Sequence, residues 1–380
     1  MTTSTSAHGS PCPRDAADHP RTACAVRVSE PGDLISAVPA LLGFHPHRSL
    51  VAICLTGTSV GAVMRHDLRL GEAALMRVVL EQFTAVAVRE GADRILIVMV
   101  DDRLPDRPEA RHLERHAEIV TAFGDLLEQS GIGIAATHLA ARIEAGAPWT
   151  DLSGAVGGRL PDPTASRVAL AQVLGGRAIR ASREELEAVL APVPAAEQER
   201  IAVLIDDARE RESCGEMMAR NAADPTSVDR QGLERVLARI AQTASGENAA
   251  PEEYAELVLA LESPRVRDAL LALSIGEHAD AAEQLWIALS RALPDPERAE
   301  PLALLGFSAY VRGDGPMAGV ALYEALAADP CHRLANLLDD ALQSGIRPDV
   351  LRELADVGHE TATELGVRLP PTGDLSPGGV

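Results

Sequence analysis

Lysine is absent from this chain of 380 residues, and all 35 basic residues are arginine. That excludes a Walker-type phosphate loop, a Schiff-base lysine and a lysine general base together. The bias is also what a genome rich in Arg, Ala and Gly codons would produce. Aromatic residues make up only 2% of the chain, too few for a surface that stacks single-stranded bases. The five cysteines (Cys12, Cys24, Cys54, Cys214 and Cys331) are odd in number and scattered, without a C-x-x-C pair. Neither a disulfide framework nor a structural zinc site is therefore expected. No apolar run reaches the roughly 18 residues of a membrane span. The first 22 residues lack the apolar stretch of a secretory signal, so a cytoplasmic location is expected. No G-x-G-x-x-G follows a strand-like run, and no G-x-S-x-G elbow occurs.

Acidic residues are in excess. The formal net charge of −21 repels nucleic acid and anionic membranes, so neither is expected as a partner. Hydrophobic content of 46% with 24% charged residues is ordinary for a globular chain, and the length allows two or three domains with real cores.

The pattern centres on Asp33–Asp67. Residues 1–22 are rich in Ser, Thr, Pro and Asp and read as a disordered tail, with residues 23–28 as a first strand. Pro31-Gly32-Asp33 opens a helix whose Leu34, Val38 and Leu41 or Leu42 share a face. Gly43 ends it and Pro46 prevents its resumption. The run SLVAICL (residues 49–55) predicts a strand buried on both faces, and Thr56-Gly57-Thr58-Ser59 predicts a turn into a hairpin partner over about 60–68. In that second strand Arg65 and Asp67 share a face. A helix over about 71–90 turns Leu75, Val79, Phe83 and Val86 inward. RILIVMV (residues 94–100) predicts a central strand, followed by a helix over about 109–130 and a strand over about 132–143.

These alternations predict an α/β domain at 23–150 with a mixed, mostly parallel sheet. From Trp149 onward strand signals stop. A linker is expected at 151–163, an all-α domain at 164–365 and a disordered tail at 366–380. Ser182 and Glu185 match a capping box. Leu305, Gly306, Tyr310, Gly313, Asp314, Ala318, Ala325 and Pro330 sit at the offsets of one tetratricopeptide unit. No second copy lies 34 residues away, so the unit reads either as an ordinary helical hairpin or as part of a peptide-binding array.

The string Leu42-Gly43-Phe44-His45-Pro46 with Ser49, Leu50 and Val51 resembles the opening signature of an actinobacterial family known only as domain of unknown function 4192. Arg65-His66-Asp67-Leu68 resembles its next motif. Trp149, Gly158–Pro163 with Ser166, Gly176-Arg177 with Ser182, Arg183, Glu184 and Leu186, Gly313-Asp314-Gly315 and Ala327–Pro330 resemble later ones. The resemblance spans about 25–355. Many relatives carry an arginine before the tryptophan and cysteines after it; here Ala147-Pro148 precede Trp149 and no cysteine follows soon. The resemblance implies architecture and brings no activity, cofactor or catalytic residue.

Candidate ligand-binding residues are His45, His47, Arg48 and Ser49 at the corner, Arg65 and Asp67 on the hairpin, and Asp101 and Asp102 after the central strand. The corner histidines either carry function or simply face water. Arg65 and Asp67 either receive an anionic ligand or fix the hairpin to the corner. Asp101 and Asp102 either hold Mg²⁺ or a ribose hydroxyl at a strand end, or open a solvated loop. His112 and His116 are four apart on a helix whose Leu113 is buried, so they read as a solvent-facing pair without a third metal ligand. Two functional readings follow. One is a non-enzymatic binding or regulatory module taking a small molecule or a protein between its halves. The other is a hydrolase or nucleotide-using enzyme with Asp67, Asp101 and an Arg or His at the sheet edge. Convergence of Arg65, Asp67, Asp101 and His45 on one pocket favours the enzyme; separation removes it.

Overall fold

In the computed structural model the described residues are 30–369 except 107, 154, 175–178, 220–225 and 248. The strand expected at 23–28 and the N-terminal tail lie outside them.

The N-terminal part runs α1 (Pro31–Leu42), β1 (Ser49–Thr56), β2 (Ser59–Asp67), α2 (Ala73–Arg89), β3 (Arg94–Val100), α3 (Ala110–Gln129), β4 (Gly133–Ala140), β5 (Pro148–Asp151) and β6 (Gly157–Arg159). Proline at its first turn starts α1, and Gly43 ends it with a φ of 72°. The strands form one sheet in the order β2-β1-β3-β4-β5-β6. The sheet is mixed, but only β3 and β4 run parallel; β1/β2, β1/β3, β4/β5 and β5/β6 are antiparallel. The expectation of a mostly parallel sheet is thereby corrected. The β1–β2 hairpin reverses the chain, and α2 then carries it across β1, so β3 arrives alongside β1 in the direction of β2. The second correction concerns β5 and β6, two short strands beyond the point where strand signals fade. Pro148 and two glycines mask them in sequence, but backbone pairing to β4 requires little side-chain propensity.

Residues alternate along β1 and β3 between two cores. Leu50, Ala52, Cys54, Ile95, Ile97 and Met99 face α2 and α3, meeting Leu80, Phe83, Phe123 and Leu127. Val51, Ile53, Leu96 and Val98 face the other way, onto Ile35 and Val38 of α1. On α2, Leu75 is exposed rather than inward; Met76 and Leu80 occupy the buried stripe with Val79, Phe83 and Val86.

The remainder is helical: α4 (Arg167–Leu174), α5 (Arg183–Ala188), α6 (Ala195–Ala219), α7 (Ser227–Ala244), α8 (Pro251–Leu261), α9 (Pro264–Leu270), α10 (Ala279–Ala292), α11 (Ala299–Val311), α12 (Gly315–Ala328), α13 (Arg333–Gln343) and α14 (Pro348–Glu364). Every residue of α11 except Glu300 is buried, which makes it the axis of this half. A Cβ on Gly306 would stand 2.8 Å from Leu322, so glycine is what lets α11 and α12 approach. Val367 and Leu369, beyond α14, are also buried. The core of this half is continuous with the α1 side of the sheet through Leu42, Phe44 and Leu186. Among the described residues no helix is long and apolar enough to cross a membrane.

Candidate functional site

The site begins at the bend between α1 and β1. Arg180 N donates to Gly43 O at 2.7 Å and His45 N donates to Arg180 O at 3.0 Å, clipping the bend to the segment before α5. Ser182 caps α5 by accepting from Glu185 N, while Glu185 reaches back to Ala181 N at 2.6 Å. The start of α5 is thus held against the bend.

Arg48 adopts a φ of 41°, the left-handed region that L side chains rarely enter. Its carbonyl accepts from Leu68 N at 2.6 Å, and its guanidinium forks onto Asp102, Nε to Oδ1 at 2.7 Å and Nη2 to Oδ2 at 3.2 Å. His47 Nε2 lies 3.0 Å from the same carboxylate. The hydrogen bond from Arg48, aided by His47, holds the Asp102 carboxyl below the usual carboxylate range.

Ser49 is buried at the start of β1 and links the bend to the hairpin. Its Oγ donates to His47 O at 2.8 Å and accepts from Arg65 Nε at 2.9 Å. Arg65 Nη2 meets Asp67 Oδ1 at 2.7 Å, and the guanidinium lies 5.8 Å from the centre of the Phe44 ring. Arg69 reaches the other oxygen of Asp67 at 3.2 Å. Partial burial pushes the Asp67 carboxyl up, but Arg65 and Arg69 more than offset this and leave it below its ordinary value. Burial pulls the Arg65 guanidinium down; Asp67 opposes that and Arg183 adds to it. Arg65 is 11% exposed, so this cation sits at the base of the site.

A cleft of about 810 Å³ opens above these residues, between the sheet edge and the helical half. His45, His47, Arg48, Arg65 and Asp67 line it, joined by Arg69 and Arg103 on the same wall and by Arg183, Tyr323 and Glu324 on the opposite one. Each of the five arginines already contacts a carboxylate: Asp102, Asp67, Asp67, Asp101 and Glu187 respectively. Asp67, Glu72, Glu184, Glu187 and Glu324 also line the cleft, so it is a set of oriented guanidinium forks balanced by carboxylates rather than a bare positive field. A guanidinium has five N–H donors, and one carboxylate occupies two. Arg48 uses only Nε and Nη2, and among the described residues its Nη1 donors have no partner.

Asp101 and Asp102 separate despite being neighbours. Asp102 serves the bend, and Asp101 is sealed inside. Its carboxylate accepts from Arg103 N at 3.1 Å, Arg103 Nε at 2.6 Å and Arg103 Nη2 at 3.1 Å, with His116 Nε2 at 2.9 Å. Burial raises the Asp101 carboxyl, but the bonds from His116 and Arg103 outweigh it and hold the group well below the carboxylate range. Burying an ionised carboxylate costs several kcal/mol unless it is paired and hydrogen-bonded, and this one is saturated. The expectation of a solvated loop at Asp101 is corrected by its burial, and its oxygens are taken up by Arg103 and His116. The reading of His112 and His116 as a solvent-facing pair is corrected as well: His116 is 1% exposed, because positions 113 and 116 are one turn apart on one face. His112 instead accepts from Glu109 N at the start of α3. Among the described residues no group of three or more His, Cys, Asp or Glu is placed to hold a metal ion.

Arg69, Arg103, Arg183 and Tyr323 were not singled out as site residues. Arg183 falls inside a motif of the family signature, which was its signal; Tyr323 had none, since only the docking of α12 against the sheet edge brings it there. The motifs at the bend and on the hairpin meet in this cleft, and a family model describes the same span. It is the domain of unknown function DUF4192, matched over residues 31–349. The chain belongs to the DUF4192 family. Its matched span contains α1 through the start of α14, hence both walls of the cleft. No curated protein and no solved structure matches the chain.

Proposed function

We propose that this DUF4192 chain is a non-enzymatic binding module that takes a small ligand with an anionic group in the cleft between its sheet and its helical half. The observation that carries this reading is Arg65: a guanidinium 11% exposed at the base of an 810 Å³ cleft, with Arg183 adding a second positive charge nearby. An anion placed there accepts charge-assisted hydrogen bonds from guanidinium groups that Asp67 and Glu187 already orient. Because the arginines are already oriented by Ser49, Asp67 and Asp102, binding requires little reorganisation. Of the α11/α12 pair, read as a tetratricopeptide-like hairpin, α12 supplies a wall of the cleft through Val320, Tyr323 and Glu324. We place the chain in the cytoplasm, with no nucleic acid or membrane as partner. The enzyme reading loses its support because Asp101, one of its required acids, offers no oxygen to the cleft.

Isothermal titration with inorganic phosphate and with acetate tests this. Saturable binding of at least one anion, weakened about tenfold or more in Arg65→Gln, is expected. Heats indistinguishable from dilution for both anions would remove the reading.

A further inference from the structure

The arginine cleft does not end at Arg65. A second hollow of about 710 Å³ continues from it between β2 and α2 on one side and α12 and α13 on the other. Phe44, Arg65, Arg183, Val320 and Tyr323 line both spaces, so the two adjoin along these residues. Their chemistry differs. Beyond Arg65 the lining is richer in apolar groups, Val63, Phe83, Val86, Val320, Leu326 and Leu342, with His66, Gln82, Asp339 and Gln343 among them. Gly319 on α12 leaves this hollow open, since a Cβ there would reach only Leu342, at 3.6 Å. At the α2 side Gly345 abuts Val86, with no room even for a methyl group.

We propose that the ligand is an amphiphilic anion, a carboxylate carried on an aliphatic chain, with its head at Arg65 and Arg183 and its chain along the hollow between α2 and α12. This rests on the reading of the cleft as an anion site and adds the identity of the rest of the ligand. Hydrogen-bond donors set the orientation: Arg65 and Arg183 stand where the two spaces adjoin, while the carboxylates Asp67, Glu72, Glu184, Glu187 and Glu324 balance the five arginines of the first cleft. Apolar side chains on both walls then give the chain a surface to pack against, whereas a small inorganic anion would leave the hollow unused. Each methylene that moves from water into the hollow tightens binding roughly fourfold.

The experiment is titration calorimetry of the full chain with acetate, hexanoate, decanoate and hexyl phosphate. Affinity is expected to rise from acetate to hexanoate to decanoate. Hexyl phosphate tests whether the head must be a carboxylate, and tighter binding than hexanoate would overturn that part of the assignment. Equal affinity for acetate and decanoate would overturn the inference and leave the anion site standing; absence of binding by both acetate and inorganic phosphate would overturn the anion site and, with it, the inference that rests on it. Gly319→Leu, which projects a side chain into the hollow, is expected to flatten the dependence on chain length. Should that variant not fold, Tyr323→Ala serves instead, because Tyr323 is 68% exposed and its loss spares the core. It is expected to weaken decanoate binding several-fold, and an unchanged affinity would count against the shared wall.

Discussion

His116 Nε2 lies 2.9 Å from Asp101 Oδ2, and both side chains are shut off from solvent, at 2% and 1% exposure. The contact ties α3 to the end of β3, directly behind the bend that shapes the cleft. Arg103, 41% exposed, covers the same carboxylate from outside. The Asp101 carboxyl is held below the carboxylate range, so its folded-state proton affinity is lower than in the unfolded chain. Its stabilising effect is therefore complete above the ordinary carboxylate range and is lost as pH falls through the depressed folded value. Asp101→Asn is expected to lower stability by about 3 kcal/mol at neutral pH, because it leaves a buried histidine facing an amide. Urea denaturation checks this, and the gap between wild type and variant should narrow below about pH 4.

Arg48 holds a left-handed backbone conformation with a β-carbon in place, which costs roughly 1–2 kcal/mol. Its pair with Asp102 is exposed to solvent, which screens it, so the pair contributes little to stability. Replacing the side chain while relieving the backbone, and replacing it without relief, separates the two effects. Arg48→Gly is expected to be more stable than Arg48→Ala by about 1 kcal/mol in guanidinium melts. Equal midpoints would mean that the strain is not felt.

The bend, the hairpin, the central strand and the helical second half were all legible in sequence, because each rests on local chemistry. Gly43 and Pro46 punctuate, Gly57 turns the hairpin with a φ of 61°, and RILIVMV has no polar face to expose. What sequence could not give was direction and partnership. β5 owes its pairing to β4 and β6 to β5, the sense of β3 follows from where α2 crosses, and Asp101 differs from Asp102 only through what packs behind it. His116 was legible but misread, since the buried Leu113 three residues earlier already marks its face. Of the candidate site residues, His45, His47, Arg48, Arg65 and Asp67 line one cleft, while Ser49 and Asp102 brace it from behind.

Cys54 and Cys331 should differ sharply as thiols. Cys54 lies in β1 with 1% exposure, and burial, with Glu90 nearby, pushes its thiol up to about 12. Thiolate is the reactive form, so Cys54 is unreactive at pH 8, whereas Cys331 is exposed. Iodoacetamide treatment of the folded protein followed by peptide mass mapping is expected to modify Cys331 and spare Cys54. Unfolding in guanidinium should make Cys54 reactive.

Gly319 lies within α12 with a helical backbone, and a Cβ added there makes only an ordinary contact with Leu342. Glycine inside a helix is about 0.5–1 kcal/mol less favourable than alanine, so Gly319→Ala is expected to stabilise the chain by that amount. Thermal denaturation checks it, and a loss of stability would mean that α12 and α13 are closer than the contact indicates.

Gly345 joins the two halves under tighter terms. Its φ is 65°, and a Cβ would stand 2.8 Å from Cγ1 of Val86 on α2. Gly345→Ala therefore meets two penalties, a left-handed conformation costing roughly 1–2 kcal/mol and a collision across the interface. Val86→Ala removes the collision but not the backbone cost. In a double-mutant cycle followed by urea denaturation, Gly345→Ala should cost about 2–4 kcal/mol in the wild-type background and distinctly less on Val86→Ala. A coupling energy of at least about 1 kcal/mol measures the contact itself. Additive losses would show that α2 and the turn after α13 give way independently, and the apolar hollow beside Val86 would then lack a fixed wall.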